Sequence, residues 1–248
     1  MVINIGDRPG YRPGPPEFSY SGTYQLIDDG DGNWRIKFLT SGVLRFIKIF
    51  TAIDVFLVGG GGGGATCFYD GSLLIAYGGS GGGYTETHKA VKVEAGVDYL
   101  ITIGDGGAVS SKYTNHRGGT TSGFGFDAEG GYPGGYSGSA AASNLNPKGG
   151  NGGSGGADYI TYPPQGYEGG YDGSNGGGTD GGIGQGSTTA EFGEAGQTVY
   201  STGGSTSDTG KGTTAQNPNG AANTGDGGTS RGSSSVGGSG ILVIRNAR

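Results

Sequence analysis

Residues 149–157 read GGN GGS GGA, three triplets in which only every third position carries a side chain. A period of three suits neither an α-helix nor a pleated strand. It suits the extended left-handed helix of polyproline II type, which turns once every three residues and makes no internal hydrogen bonds. If such a helix is buried, each N–H and C=O must find a partner on a neighbouring chain. Glycine, with no Cβ, lets neighbours come that close on several sides. The chain has 63 glycines in 248 residues, and this pattern predicts that much of it forms a packed bundle of polyglycine II helices instead of a flexible linker.

A hydrophobic content of 31% is low for a globular chain of this length, so any core must be concentrated. The long aliphatic residues cluster between Trp34 and Val58 and between Tyr84 and Ile103, whereas 118–240 holds most of the glycine and little else that is apolar. The net charge of −6 comes with thinly spread Lys and Arg, so no basic face for nucleic acid is expected. One cysteine, Cys67, excludes an intramolecular disulfide. Neither a signal peptide nor a membrane span is expected, since no apolar run follows a basic start and none approaches twenty residues.

Residues 1–17 carry Pro9, Pro13, Pro15 and Pro16, which favour an extended arm. From Phe18 the pattern becomes β. Tyr24 to Ile27 leads into the turn-rich loop Asp28 to Asn33, and Trp34-Arg35-Ile36-Lys37-Phe38 alternates as a strand with one wet face does. Val43 to Ile49 alternates again, and the continuous apolar run Ile53 to Val58 predicts a buried central strand. That strand runs straight into the six glycines Gly59 to Gly64, and Leu73 to Tyr77 runs likewise into Gly78 to Gly83. Further strands are expected at Tyr84 to Val93 and Asp98 to Ile103. The last element reverses the order: Gly237 to Gly240 leads into the strand Ile241 to Ile244, so the glycine region is an insertion clamped between strands. Within it Gly170, Gly173 and Gly176, then Gly178, Gly181 and Gly184, keep the spacing of three. No segment predicts an α-helix; the alanine cluster at Ser139 to Ser143 is too short.

The chemistry-bearing motifs fail one by one. Gly59, Gly61 and Gly64 match GxGxxG, but no helix follows to offer its N-terminus to a pyrophosphate. Gly210-Lys211 is followed by Gly212, not by the Ser or Thr of a phosphate-binding loop. The loop Asp28 to Asn33 lacks the terminal bidentate Glu of a calcium loop. His88 and His116 belong to unrelated segments, and no activated nucleophile is apparent. Catalytic, cofactor and metal residues are therefore all expected to be absent. The tyrosines are more informative, because a Tyr in a loop offers a rigid ring with a polar tip. Tyr132, Tyr136, Tyr159, Tyr162, Tyr167 and Tyr171 stand among tiny residues either as caps of the bundle or as a recognition surface, with 159–167 as the expected exposed loop.

Several pieces together carry a resemblance. Ile53 to Val58 with its six glycines, Gly81-Gly82-Gly83-Tyr84, Tyr99 to Gly107, Thr121 to Gly125 and Gly238 to Arg245 resemble the glycine-rich domain of tail and receptor-binding proteins of bacteriophages and prophages. The likeness runs from Phe18 to Arg248. It implies a non-enzymatic virion component, a tail-tip or fibre adhesin made in the bacterial cytoplasm, meeting a glycan or protein on the bacterial surface and joining other tail proteins through the N-terminal arm. The alternative is a purely structural virion or secreted matrix module. The chain is also similar to the glycine-rich region of the anaplastic and leukocyte receptor kinases, which implies a jelly-roll sandwich of tumour-necrosis-factor type; the cysteines and membrane span of those receptors are missing here. The expected fold is thus all-β, a jelly-roll-like antiparallel sandwich over 18–117 completed by 241–248. A polyglycine II bundle over 118–240 is inserted into it, with essentially no α-helix.

Overall fold

The computed structural model describes residues 14–48, 52–64, 68–70, 73–108, 116–139, 150–156, 189–205, 219–229 and 235–248. Within them the fold is all-β and antiparallel, and the only helical element is one 3-10 turn at Glu191–Gly193. The strands are β1 (Glu17–Tyr20), β2 (Tyr24–Gly30), β3 (Asn33–Phe38), β4 (Gly42–Lys48), β5 (Ile53–Val58), β6 (Phe68–Asp70) and β7 (Leu73–Tyr77). They continue with β8 (Thr85–Val91), β9 (Asp98–Ile101), β10 (Thr121–Gly123), β11 (Phe126–Ala128), β12 (Tyr136–Ser139) and β13 (Ile241–Asn246).

A five-stranded sheet runs in the order β2-β3-β13-β5-β8, and a three-stranded sheet runs β1-β4-β9. Thr102 and Ser122 exchange both backbone hydrogen bonds, which joins the β10-β11 hairpin to the β9 side of the smaller sheet. The two sheets share one buried core built from alternate residues: Trp34, Ile36 and Phe38 of β3, Leu44 and Phe46 of β4, Ile53, Val55 and Leu57 of β5, Ile101, and Leu242 and Ile244 of β13. Alternation puts every second side chain on one face of a strand, so the pattern in β3 and β4 translates directly into this sandwich-like packing. At one edge Tyr20 packs on Phe38 with ring centres 4.7 Å apart, and Phe18 packs on Tyr24 at 5.1 Å, tying β1 to the larger sheet.

The loop expected at Asp28 to Asn33 is a tight hairpin turn, with Asp31 and Gly32 at φ 54° and 77°. Positive φ at both central residues matches the right-handed twist of the flanking strands, which is why Asp-Gly is favoured there. The closing strand β13 lies at the centre of its sheet, paired with β3 on one side and β5 on the other. A further sheet, β12-β7-β6, joins Leu73–Tyr77 to two strands that the sequence does not announce.

Beyond β5 the chain stops pairing as a ribbon. Gly59 to Gly64 donate their N–H groups in turn to Tyr84, Gly119, Gly238, Gly81, His116 and Ser235. The partner segment changes at each residue and returns after three, one step back along an antiparallel neighbour. The carbonyls of Gly60, Gly61 and Gly62 accept from Gly131, Gly107 and Gly228, three further segments. A methyl group added to these glycines would meet Glu129, Asp105, Asp226, Tyr132, Ala108 and Thr229 in order, again with a period of three, and always closer than 3.0 Å to backbone. The next segment behaves alike, with Gly78, Gly81 and Tyr84 donating to Gly135, Tyr132 and Glu129. Within 150–156 the spacing holds for two steps, Gly150 and Gly153 donating to Gly79 and Gly82, and then stops, as Gly156 donates back to Gly150. Gly170 to Gly184 lie outside the described residues.

Candidate functional site

The outer face of the larger sheet is where charge gathers. Arg35 and Lys37 of β3, Asp54 and Phe56 of β5, and Val243 and Arg245 of β13 point away from the sandwich core. Register places Arg35 and Arg245 opposite each other and Asp54 opposite Arg245. Two like charges side by side on a sheet repel unless carboxylates intervene. Residues 189–201 bring them. This strap crosses the sheet and is closed by the Ala190 and Val199 bridge, with Phe56, Val58, Phe192, Tyr200, Ile241 and Val243 as its apolar seal. The face expected to be wet is therefore half covered.

Glu191 is fully buried; its Oε1 meets Arg35 Nη1 at 2.5 Å, and its Oε2 accepts from both Lys37 Nζ and the Tyr200 hydroxyl at 2.8 Å. Burial pushes the Glu191 carboxyl up, but the Lys37 and Arg35 contacts outweigh it and hold the group below the usual carboxylate range. Burial and the adjacent Glu191 charge push the Tyr200 hydroxyl well up, so it remains a donor. Arg245 is itself buried; its Nε donates to Asp54 Oδ2 at 3.0 Å and its Nη1 to Glu194 Oε2 at 2.8 Å, with Nη2 on the other Glu194 oxygen. Those hydrogen bonds hold Glu194 down to about 2. The Phe192 ring lies over the Arg245 guanidinium at 4.1 Å, from a backbone with φ 58°. Asp29 takes Arg35 at 2.8 Å and Arg248 at 3.0 Å, and these two outweigh burial to lower its pKa. A cleft of about 220 Å³ opens between Asp29, Arg35, Phe192, Gln197, Arg245 and Arg248.

Of the tyrosines singled out by sequence, Tyr132 lies on the glycine region with 42% of its surface exposed. Arg117 stacks on its ring at 4.1 Å and is pinned by the Gly130 carbonyl, at 2.9 Å, and by the Glu129 carboxylate. The Tyr132 backbone is held on both sides, its N–H donating to Asn151 and its carbonyl accepting from Gly81. Tyr136 begins β12, opposite Tyr77. Tyr159, Tyr162, Tyr167 and Tyr171 lie outside the described residues. Among the described residues no three His, Cys, Asp or Glu side chains gather as a metal site. His88 stacks on Phe126 at 3.6 Å and pairs with Glu86 at 3.0 Å.

Sequence reasoning passes over the charged cluster, although two signals mark it. Asp54 and Arg245 interrupt otherwise apolar strands, and a charge in a buried strand demands a partner. The second signal is AEFGEAGQTVY at 190–200, an island of acidic and aromatic residues in glycine-rich sequence.

A family model for the glycine-rich domain matches residues 44–247. The chain belongs to the glycine-rich domain family. The match begins within β4 and ends just past β13, so the glycine-rich domain here takes in both the hydrogen-bonded glycine segments and the strap over the charged face. No curated protein matches the chain.

Proposed function

We propose that this glycine-rich domain is a non-enzymatic bacteriophage or prophage virion protein, a tail-tip or fibre adhesin. It binds a glycan or protein of the bacterial surface through loops carried on a bundle of polyglycine II helices. The observation that carries the reading is the three-residue repeat of hydrogen bonds around Gly59 to Gly64, the repeat of a threefold extended helix. A bundle so built has room inside it only for small side chains such as Ser80, Ser154 and Ser201. Its recognition chemistry must then lie on the outside, where the exposed Tyr132 sits on a backbone fixed by hydrogen bonds. A rigid base reduces the ordering cost of binding. Tyr136, Tyr159, Tyr162, Tyr167 and Tyr171 extend the proposed surface, and residues 1–17 form the arm that docks to other tail proteins.

A purely structural module is the second reading, favoured by Arg117, which already occupies one face of Tyr132. Labelled full-length protein incubated with a panel of candidate bacterial hosts separates the two. The adhesin reading expects saturable binding to at least one host, weakened in Tyr159→Ala/Tyr162→Ala. Incorporation into particles with no binding to any host would leave only the structural module.

A further inference from the structure

We propose that the cleft between Asp29, Arg35, Phe192, Gln197, Arg245 and Arg248 binds the carboxylate-bearing ring of an acidic sugar. The inference is independent of the tyrosine surface and of the virion setting.

Charge comes first. In the cluster five cations, Arg35, Lys37, Lys89, Arg245 and Arg248, face four carboxylates, Asp29, Asp54, Glu191 and Glu194. Three guanidinium groups line the cleft, and among the described lining residues Asp29 is the one carboxylate; Arg35 and Arg245 are also engaged from outside the lining by Glu191, Glu194 and Asp54, which leaves Arg248 with Asp29 alone. Among the described residues Arg248 reaches a carboxylate only through Nη2, and its side chain is 35% exposed. Its Nε and Nη1 make no carboxylate contact among the described residues, and a planar guanidinium matches a carboxylate with two parallel hydrogen bonds.

Shape and lining narrow the ligand. About 220 Å³ lies below the usual range for drug-sized ligands, roughly 300 Å³ upward, and suits a single ring. Asp29 can accept from ring hydroxyls, and the exposed Gln197 amide can both accept and donate. Phe192 supplies the apolar wall. Its left-handed backbone is unusual for a residue with a side chain, and such strain persists where the surroundings enforce it, often at binding sites. A purely structural ion cluster accounts for Arg245 with Asp54 and Glu194 and for Arg35 with Asp29 and Glu191; it leaves unexplained the partly exposed Arg248, which among the described residues reaches a carboxylate through Nη2 alone.

Calorimetric titration of the full chain with glucuronate, glucose and inorganic phosphate at about 0.15 M salt tests the proposal. Glucuronate is expected to bind about ten-fold or more tightly than either glucose or phosphate. Arg248→Ala and Gln197→Ala remove groups at the exposed side and leave the Arg245–Asp54 pair in place. Each is expected to weaken glucuronate about ten-fold with unchanged circular dichroism. Absence of glucuronate binding by the wild type overturns the proposal, as does binding that both variants retain. Phosphate bound as tightly as glucuronate overturns it too, since the cleft would then be an unselective anion site.

Discussion

The sandwich and the glycine region solve the same problem by opposite means. In the sandwich, backbone groups pair along strands, and stability comes from side chains such as Phe38, Phe46 and Leu57 that fill the space between sheets. In the glycine region, only small side chains such as Ser80 and Ser201 are buried and the backbone is the main packing surface; successive residues of Gly59 to Gly64 face three neighbouring segments in rotation. The first solution tolerates exchange among residues of similar volume. The second tolerates almost nothing, because the atom nearest a new methyl group is a backbone carbonyl that cannot rotate away. β5 and Gly59 to Gly64 are one continuous stretch, so the chain passes from one regime to the other at Val58.

The sharpest way to break the contrast is Gly61→Ala. Its Cβ would overlap the Asp226 carbonyl, and we expect failure to fold or a loss above about 3 kcal/mol by thermal or chemical denaturation. Gly14→Ala, with open space around it, serves as the control and should fall within about 0.5 kcal/mol of wild type. A stable Gly61→Ala protein would mean that the segments are not in backbone contact.

A slightly smaller effect is expected where the sandwich meets the strap. Asp54→Ala leaves the buried Arg245 without one partner and deprives the Ala90 N–H of its acceptor, at a cost of about 3 kcal/mol in urea unfolding. If Asp54→Ala unfolds at the same urea concentration as wild type, the charged face is not holding the strap.

The smallest effect is a pH dependence. Glu194 is held down to about 2 in the folded protein, from 4.5 in the free side chain. Such a depressed group stabilises the fold fully above about 4.5 and loses that contribution as pH falls toward 2. Asp29 and Glu191 act in the same direction. The melting temperature should therefore drop over this acid window, and less steeply in Glu194→Gln. Equal slopes would show that Glu194 is not engaged by Arg245.

How much of this is legible in the sequence depends on where the determining contact lies. Alternation in Trp34 to Phe38 and the apolar run Ile53 to Val58 announce the sandwich, because burial is written into period and composition. The spacing of three within 150–156 matches the hydrogen bonds of Gly150 and Gly153 but not that of Gly156, which donates back to Gly150. What stays hidden is partner choice: glycine carries no mark of its neighbour, so the pairing of Gly61 with Gly238 leaves no trace in sequence. β10 and β11 are three residues each, too short for a pattern, yet Ala128 joins the sandwich core. The charged face is concealed for another reason: Arg35 and Lys37 have the alternation of a solvent-facing strand, and the strap that covers them comes from more than 150 residues later. Tyr132 appears as one tyrosine among many, and its stacking on Arg117 depends on the fold of the intervening turn.

The central place of β13 sets an order on the birth of the molecule. A ribosome delivers this strand after every other described strand, yet β3 and β5 have no direct ladder to each other and meet only through it. Gly61 and Gly64 likewise wait for Gly238 and Ser235. Synthesis at roughly 5–20 residues per second leaves β5 and its glycines without these partners for about ten seconds or more. The larger sheet therefore closes late, and a chain cut before Ile241 would leave on β3 and β5 two edges that no other described strand covers.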